Sequence, residues 1–231
     1  MELRDRTIIV TGGTGALGTA VVSRLLAAGA RCRVPYLIAA EAEAFAHRGS
    51  DRIALVADCD LTDEAAVARL YADASDLWAS IHVAGGFAMS PLAETNKAGL
   101  MAMIDMNLVS CHLCCRAAVK AMGNRGGRIV NVAARPALEP RTAAGSTAYA
   151  ASKAAVAALT VALAEEVARD GILVNAVAPS IINTPANRSA IPKADHASWP
   201  KPDEIAATIA FLASPENQVT RGAIVPVYGR A

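Results

Sequence analysis

Thr7 to Gly18 reads TIIVTGGTGALG. A β-branched run ends in a cluster of glycines, and Ala16 to Ala28 then carries the composition of a helix. Branched side chains favour the pleated strand, whereas alanine and leucine favour helix. Between them Gly12, Gly13, Gly15 and Gly18 let the backbone turn tightly and come close to a pyrophosphate. The positive end of the following helix would hold that group. A glycine-rich turn carries meaning only between a strand and a helix, and this one lies there. The stretch predicts the opening unit of a doubly wound α/β domain that binds a dinucleotide.

The same alternation continues along the chain. Gly29 closes the first helix, and Arg31 to Ile38 reads as a second strand. AEAEAFAHRG, residues 40–49, reads as helix, and DRIALVADCD, residues 51–60, as a third strand. Thr62, Asp63 and Glu64 open the next helix with a capping residue and acidic side chains in the first turn. Ile81 to Ala84 is a short strand, Lys97 to Met122 a long helix and Arg128 to Ala133 a strand. A helix around Tyr149 runs to about Arg169. Ile172 to Val177 is an apolar strand, Asp203 to Ala213 a helix and Ala223 to Val227 the last strand. No linker interrupts the pattern, so residues 1–231 are expected to form one domain. Residues 183–201 are too long for a plain connection and are expected to cover a site.

The composition suits this architecture. Of 231 residues, 54% are hydrophobic, which supports a sizeable core, and the net charge is only +1. No run of Lys or Arg marks a nucleic-acid or membrane surface, so neither partner is expected. The charged start MELRDR is unlike a signal or transit peptide, and no apolar stretch reads as membrane-spanning. A cytoplasmic protein is the expectation. Cys111, Cys114 and Cys115 cluster with His112 in SCHLCCRAA. They fall on one helix, with no second Cys/His pair nearby in sequence and no turn between ligand pairs. No metal site is expected; the cysteines, with Cys32 and Cys59, read as small core residues.

GSTAYAASKAAV, residues 145–156, places Tyr149 and Lys153 one helical turn apart on the same face. An ammonium beside a phenol favours the phenolate and draws its pKa toward the working range of a general acid/base. An ordinary amphipathic helix would account for the pair equally well, and the rest of the chain decides between them.

Several motifs occur in order. They are the Thr-Gly-x-x-x-(Gly/Ala)-x-Gly turn at residues 11–18, Asp60-Leu61, Ala84-Gly85, Asn107 and Tyr149-x-x-x-Lys153. Together they resemble the short-chain dehydrogenase/reductase family over essentially all 231 residues. The resemblance implies a Rossmann-type, parallel, seven-stranded sheet with helices on both faces. It implies an NAD(P)-dependent oxidoreductase moving hydride between the nicotinamide and a small carbonyl or alcohol. Tyr149 would be the acid, Lys153 would lower its pKa and bind ribose hydroxyls, and Asn107 would hold a water feeding protons to Lys153. The dinucleotide would lie along Gly12, Thr14, Gly15, Leu17, Gly18, Tyr36, Asp60, Leu61, Ala84 and Gly85. Tyr149, Lys153, Pro179, Ile182 and Thr184 would complete its site.

There are departures from the family pattern. Ala16 replaces the middle glycine, His82-Val83 replaces an Asn pair, and Ala134 stands where the substrate-binding serine belongs. Thr142, Ser146 and Thr147 are possible stand-ins, or helix-cap hydroxyls. The missing serine and residues 134–149 are similar to dihydropteridine reductases, which gives a runner-up activity. A dinucleotide sensor without catalysis is a third reading. Tyr36 ends the second strand where an acid would repel a 2′-phosphate, and no arginine lies in the glycine turn. With that barrier missing NADP is expected, NAD being the alternative. The outer faces of the two long helices, read as Cys111, Cys114 and Ala118 with Ala154, Ala158 and Ala162, imply a homo-oligomer, dimer or tetramer.

Overall fold

The computed structural model describes residues 2–74 and 76–231. Seven parallel strands form one sheet. They are β1 (Thr7–Thr11), β2 (Arg31–Pro35), β3 (Ile53–Val56), β4 (Leu77–His82), β5 (Gly127–Val132), β6 (Ile172–Pro179) and β7 (Ile224–Val227). Their order is β3-β2-β1-β4-β5-β6-β7. The helices are α1 (Ala16–Ala27), α2 (Ala39–Ala44), α3 (Glu64–Ala72), α4 (Lys97–Ile104), α5 (Ser110–Met122), α6 (Arg135–Leu138), α7 (Thr147–Glu166), α8 (Pro185–Ala190) and α9 (Pro202–Ala213). A π-helical turn, Asp105–Val109, joins α4 to α5.

The central strands are apolar on both faces because helices cover both. In β1, Ile8 and Val10 enter a core with Val21, Val22 and Leu25 of α1 and Ile205, Ile209 and Leu212 of α9. Ile9 faces the opposite core, with Leu70 of α3, Cys114 and Ala118 of α5 and Val156 of α7. Ile129 and Val130 of β5 divide between the same two cores. The order in which the chain adds strands reverses between β1 and β4, and a doubly wound sheet binds its ligand in the crevice at that point.

The predicted order of elements holds, with local differences. The second strand stops at Pro35 rather than Ile38, and the helix expected over 40–49 is the short α2. Phe45 leaves the helix in extended conformation and is 3% exposed, so burying its ring fixes the exit of the chain. The fourth strand begins at Leu77, earlier than expected.

The helices Lys97–Arg125 and Thr147–Glu166 correct one expectation. Both reach the length of a membrane span, with mean hydropathy 1.4 each. They lie against the sheet, where Cys114, Ala118, Met122, Val156 and Ala164 are core residues.

Candidate active site

The glycine turn follows β1 directly. Gly12 has φ +64°, and a Cβ there would lie 2.7 Å from the Ala84 amide nitrogen. The turn and the end of β4 therefore touch along their backbones, and Thr11 ties them further. Its carbonyl accepts from the Val83 amide at 3.2 Å, and its hydroxyl from the Ala84 amide at 3.3 Å. Gly15 caps α1 with no side chain on the first amides, so the helix N-terminus stays open to an anion. Gly12, Thr14, Gly15, Leu17 and Gly18 are thus gathered at one end of the sheet. Tyr36 after β2, Asp60 and Leu61 after β3, and Ala84 and Gly85 after β4 border it. Pro179 ends β6, with Ile182 and Thr184 just beyond. Apart from Tyr149 and Lys153 on α7, the expected dinucleotide residues lie in or just beyond the turns that follow β1, β2, β3, β4 and β6, and the glycine cradle fits a pyrophosphate.

Three of these residues also make hydrogen bonds within the protein. Asp60 accepts from the Thr62 amide at 2.8 Å and the Thr62 hydroxyl at 2.7 Å, which lowers its pKa. Thr184 caps α8 through the Asn187 amide at 3.2 Å. Thr14 donates to Glu41 Oε2 at 3.1 Å. This last contact is a correction, because an acidic group does stand beside the glycine turn. It comes from α2 rather than from the end of β2.

Tyr149 and Lys153 share one face of α7. Lys153 is buried, and its Nζ donates to the Val132 carbonyl at 2.9 Å. Asn107, on the π-helical turn, is 1% exposed. Its Oδ1 accepts from the Gly86 amide at 3.0 Å. Its Nδ2 donates to the Gly86 carbonyl at 3.1 Å and to Ser152 Oγ at 3.1 Å. A Cβ on Gly85 would lie 2.6 Å from Asn107 Oδ1 and 3.2 Å from Lys153 Nζ. Gly85 is therefore where the chain end of β4, the asparagine and the lysine meet. The π turn supplies the extra residue that aims Asn107 at this point.

The electrostatics differ from expectation. Burial pushes the Tyr149 phenol up to about 12 and the Lys153 ammonium down to about 8. Desolvation by burial is what raises the phenol, so it stays protonated at neutral pH.

Two of the three candidate stand-ins for the missing serine have their hydroxyls held by backbone carbonyls. Ala134 is buried. The Thr142 hydroxyl donates to the Glu139 carbonyl at 2.8 Å, and the Ser146 hydroxyl to the Ala143 carbonyl at 3.2 Å. Ser146 sits at the N-cap of α7 without capping it through its side chain, and Thr147 is exposed.

Sequence reasoning missed Phe87, whose ring stands edge-on to Tyr149 with centroids 4.9 Å apart. It also missed the surroundings of His82, whose ring is buried among Ser80, Tyr71, Asn131 and two cysteines. The Asn pair replaced by His82-Val83 was the available signal.

A doubly wound sheet with a glycine turn after its first strand, and Tyr149, Lys153 and Asn107 on the helices beside it, is the setting of a dinucleotide-dependent oxidoreductase. The short chain dehydrogenase family profile matches residues 6–195, and the chain belongs to that family. The chain is 36% identical to galactitol 2-dehydrogenase of Rhizobium johnstonii, over 98% of this chain and 95% of that one. It is 35% identical to cis-4-hydroxycyclohexanecarboxylate dehydrogenase of Sinomonas cyclohexanicum, over 97% and 96%. A blue fluorescent protein from a metagenomic library, solved in complex with NADPH, superposes with TM-score 0.89 at 29% identity, over 99% and 98%.

Proposed function

We propose that this protein is an NAD(P)-dependent oxidoreductase acting on a small carbonyl or alcohol, with Tyr149, Lys153 and Asn107 as its acid/base group. The observation that carries the reading is the meeting of Lys153 and Asn107 at Gly85, one backbone contact from the glycine turn. The nicotinamide, when bound, supplies or accepts the hydride. Tyr149 gives its proton to the substrate oxygen during reduction, and burial, by keeping the phenol protonated, suits that direction. Lys153, with an ammonium pKa brought to about 8, is placed to pass a proton on near neutral pH. Asn107 fixes the Gly86 backbone and so holds the wall of the site in position.

The rim supports an apolar substrate. Phe87, Met89, Leu138, Ile181 and Ile191 are exposed on segments leaving the C-terminal ends of β4, β5 and β6. Residues 183–201 supply the last of these, and we take that segment as the substrate cover. It is held in shape by Asn183, whose Nδ2 donates to the His196 carbonyl at 2.7 Å. Exposed alanines on α7 support self-association, and five free thiols suit a reducing, cytoplasmic setting. Ala134 keeps a quinonoid dihydropterin in the substrate panel.

The test is oxidation of NADH and NADPH with a panel of small ketones, aldehydes and a quinonoid dihydropterin. Tyr149→Phe is expected to lower kcat by about 10²–10⁴-fold while still binding the dinucleotide. Dinucleotide binding without turnover on any substrate would favour the sensor reading, and full activity in Tyr149→Phe would end the proposal.

A further inference from the structure

Beneath the Asn107–Lys153 group, α5 carries Cys111 and Cys115 one turn apart, facing the end of β4. His82 Nδ1 lies 4.0 Å from Cys111 Sγ and 3.5 Å from Cys115 Sγ. All three atoms fall within 4.8 Å of one another. Asn131 Oδ1, on β5, lies 2.8 Å from the same imidazole nitrogen and 3.5 Å from Cys115 Sγ. The cysteines alone share one helix, but the sheet brings His82 and Asn131 to them from two neighbouring strands.

We propose that His82, Cys111 and Cys115 form a buried site for a thiophilic dication of the zinc class, with Asn131 Oδ1 as the fourth donor. A tetrahedral ion with bonds of about 2.3 Å to sulfur and about 2.0–2.1 Å to nitrogen sets its ligands about 3.5–3.8 Å apart. The two distances from His82 Nδ1 to sulfur lie close to that spacing, whereas Asn131 Oδ1, now hydrogen-bonded to the imidazole at 2.8 Å, would have to draw back from it to become a ligand. Charge also balances, because two thiolates neutralise a dication while the imidazole and the amide stay neutral. A closed, dry pocket requires that balance. The ligands are 3%, 5% and 2% exposed.

The surroundings supply the outer contacts that metal-bound histidine needs. Asn131 Nδ2 donates to Thr160 Oγ1 at 2.9 Å, which leaves its oxygen facing His82. In the free protein His82 Nδ1–H donates to that oxygen. On metal binding this proton moves to Nε2, where Ser80 Oγ waits at 2.8 Å, and the two thiol protons are released to solvent. Tyr71 hydrogen-bonds Ser80 at 2.6 Å. Tyr71 also lines a groove of about 350 Å³ between α3 and α5. A bound ion would pin β4, β5 and α5 together under the acid/base group without touching substrate.

Protein isolated without chelators is expected to contain about one zinc per chain by elemental analysis. Metal-stripped protein should take up one Cd2+ with an ultraviolet thiolate-to-cadmium absorption band. Cys111→Ser combined with Cys115→Ser, and separately His82→Asn, should lose at least nine-tenths of the metal. Cys114→Ser, a buried thiol of the same helix outside the trio, should keep it. Circular dichroism checks that each variant is folded; should the ligand variants unfold, the cadmium titration of the unaltered chain decides. Neither zinc nor a cadmium band in the unaltered chain overturns the proposal. So does equal metal content in all variants.

Discussion

Lys153 holds an ammonium in a buried place where, among the described residues, the Val132 carbonyl receives it. Burial brings its pKa from 10.5 to about 8. The folded state therefore carries a desolvated charge below about pH 8, which the unfolded chain keeps in water. That penalty is fully present at pH 7 and disappears as pH rises from about 8 toward 10.5, where both states become neutral. Lys153→Met is accordingly expected to be more stable than the parent at pH 7, by about 2 kcal/mol, and inactive. In urea melts its advantage should vanish above pH 10.5; a variant less stable at pH 7 would show that the lysine is net favourable. Glu41 is the second single side chain with a decisive position. Its carboxylate sits on Thr14 of the glycine turn, and a 2′-phosphate brought nearby meets a like charge. At a few ångströms in water such a repulsion amounts to about 1 kcal/mol. Glu41→Gln should therefore lower KM for NADP relative to NAD about fivefold, as initial-rate kinetics with both dinucleotides would show. An unchanged ratio would place the selectivity elsewhere.

The helices and strands themselves were legible wherever their cause is local. Thr62, Asp63 and Glu64 read together as a capped helix start, and the cap is Asp63, whose carboxylate accepts from the Ala65 and Ala66 amides at 3.0 and 3.2 Å. Removing those two bonds in Asp63→Ala should cost about 1 kcal/mol, seen as a lower urea midpoint at unchanged slope. The same reasoning failed where a group outside the element takes over. Ser146 has the composition of a cap, yet its hydroxyl turns back to Ala143, in the preceding turn. The π turn at Asp105–Val109 has no signature in its own residues, because its partner is the backbone of Gly86, 21 positions away. The short α2 ends where Phe45 reaches the core, although the alanines and glutamates around it would have continued a helix.

Taken whole, the chain is one sheet with two cores, and which helix faces look outward follows from that layering. Cys111, Cys114 and Ala118, read as an outer face of α5, are buried inside the protomer and cannot meet a partner. Ala154, Ala158 and Ala162 of α7 are exposed as expected, beside Val161 at 45%. Self-association should therefore centre on α7, and Ala158→Glu should shift the oligomer toward monomer in size-exclusion chromatography with light scattering. An unshifted mass would move the interface elsewhere. The order of strands and helices, the glycine cradle and the Tyr149–Lys153 pair were readable from the chain alone. Branching at Cβ, freedom at positive φ and four-residue spacing act between near neighbours, so composition and spacing suffice for them. Folding settled the acid beside the glycine turn, the charge state of the lysine and the meeting of an imidazole with two thiols. Glu41 and Thr14 are 27 positions apart, and His82 lies 29 and 33 positions from its cysteines. Such contacts, and the dielectric around a buried ammonium, exist only once the sheet has brought its strands side by side.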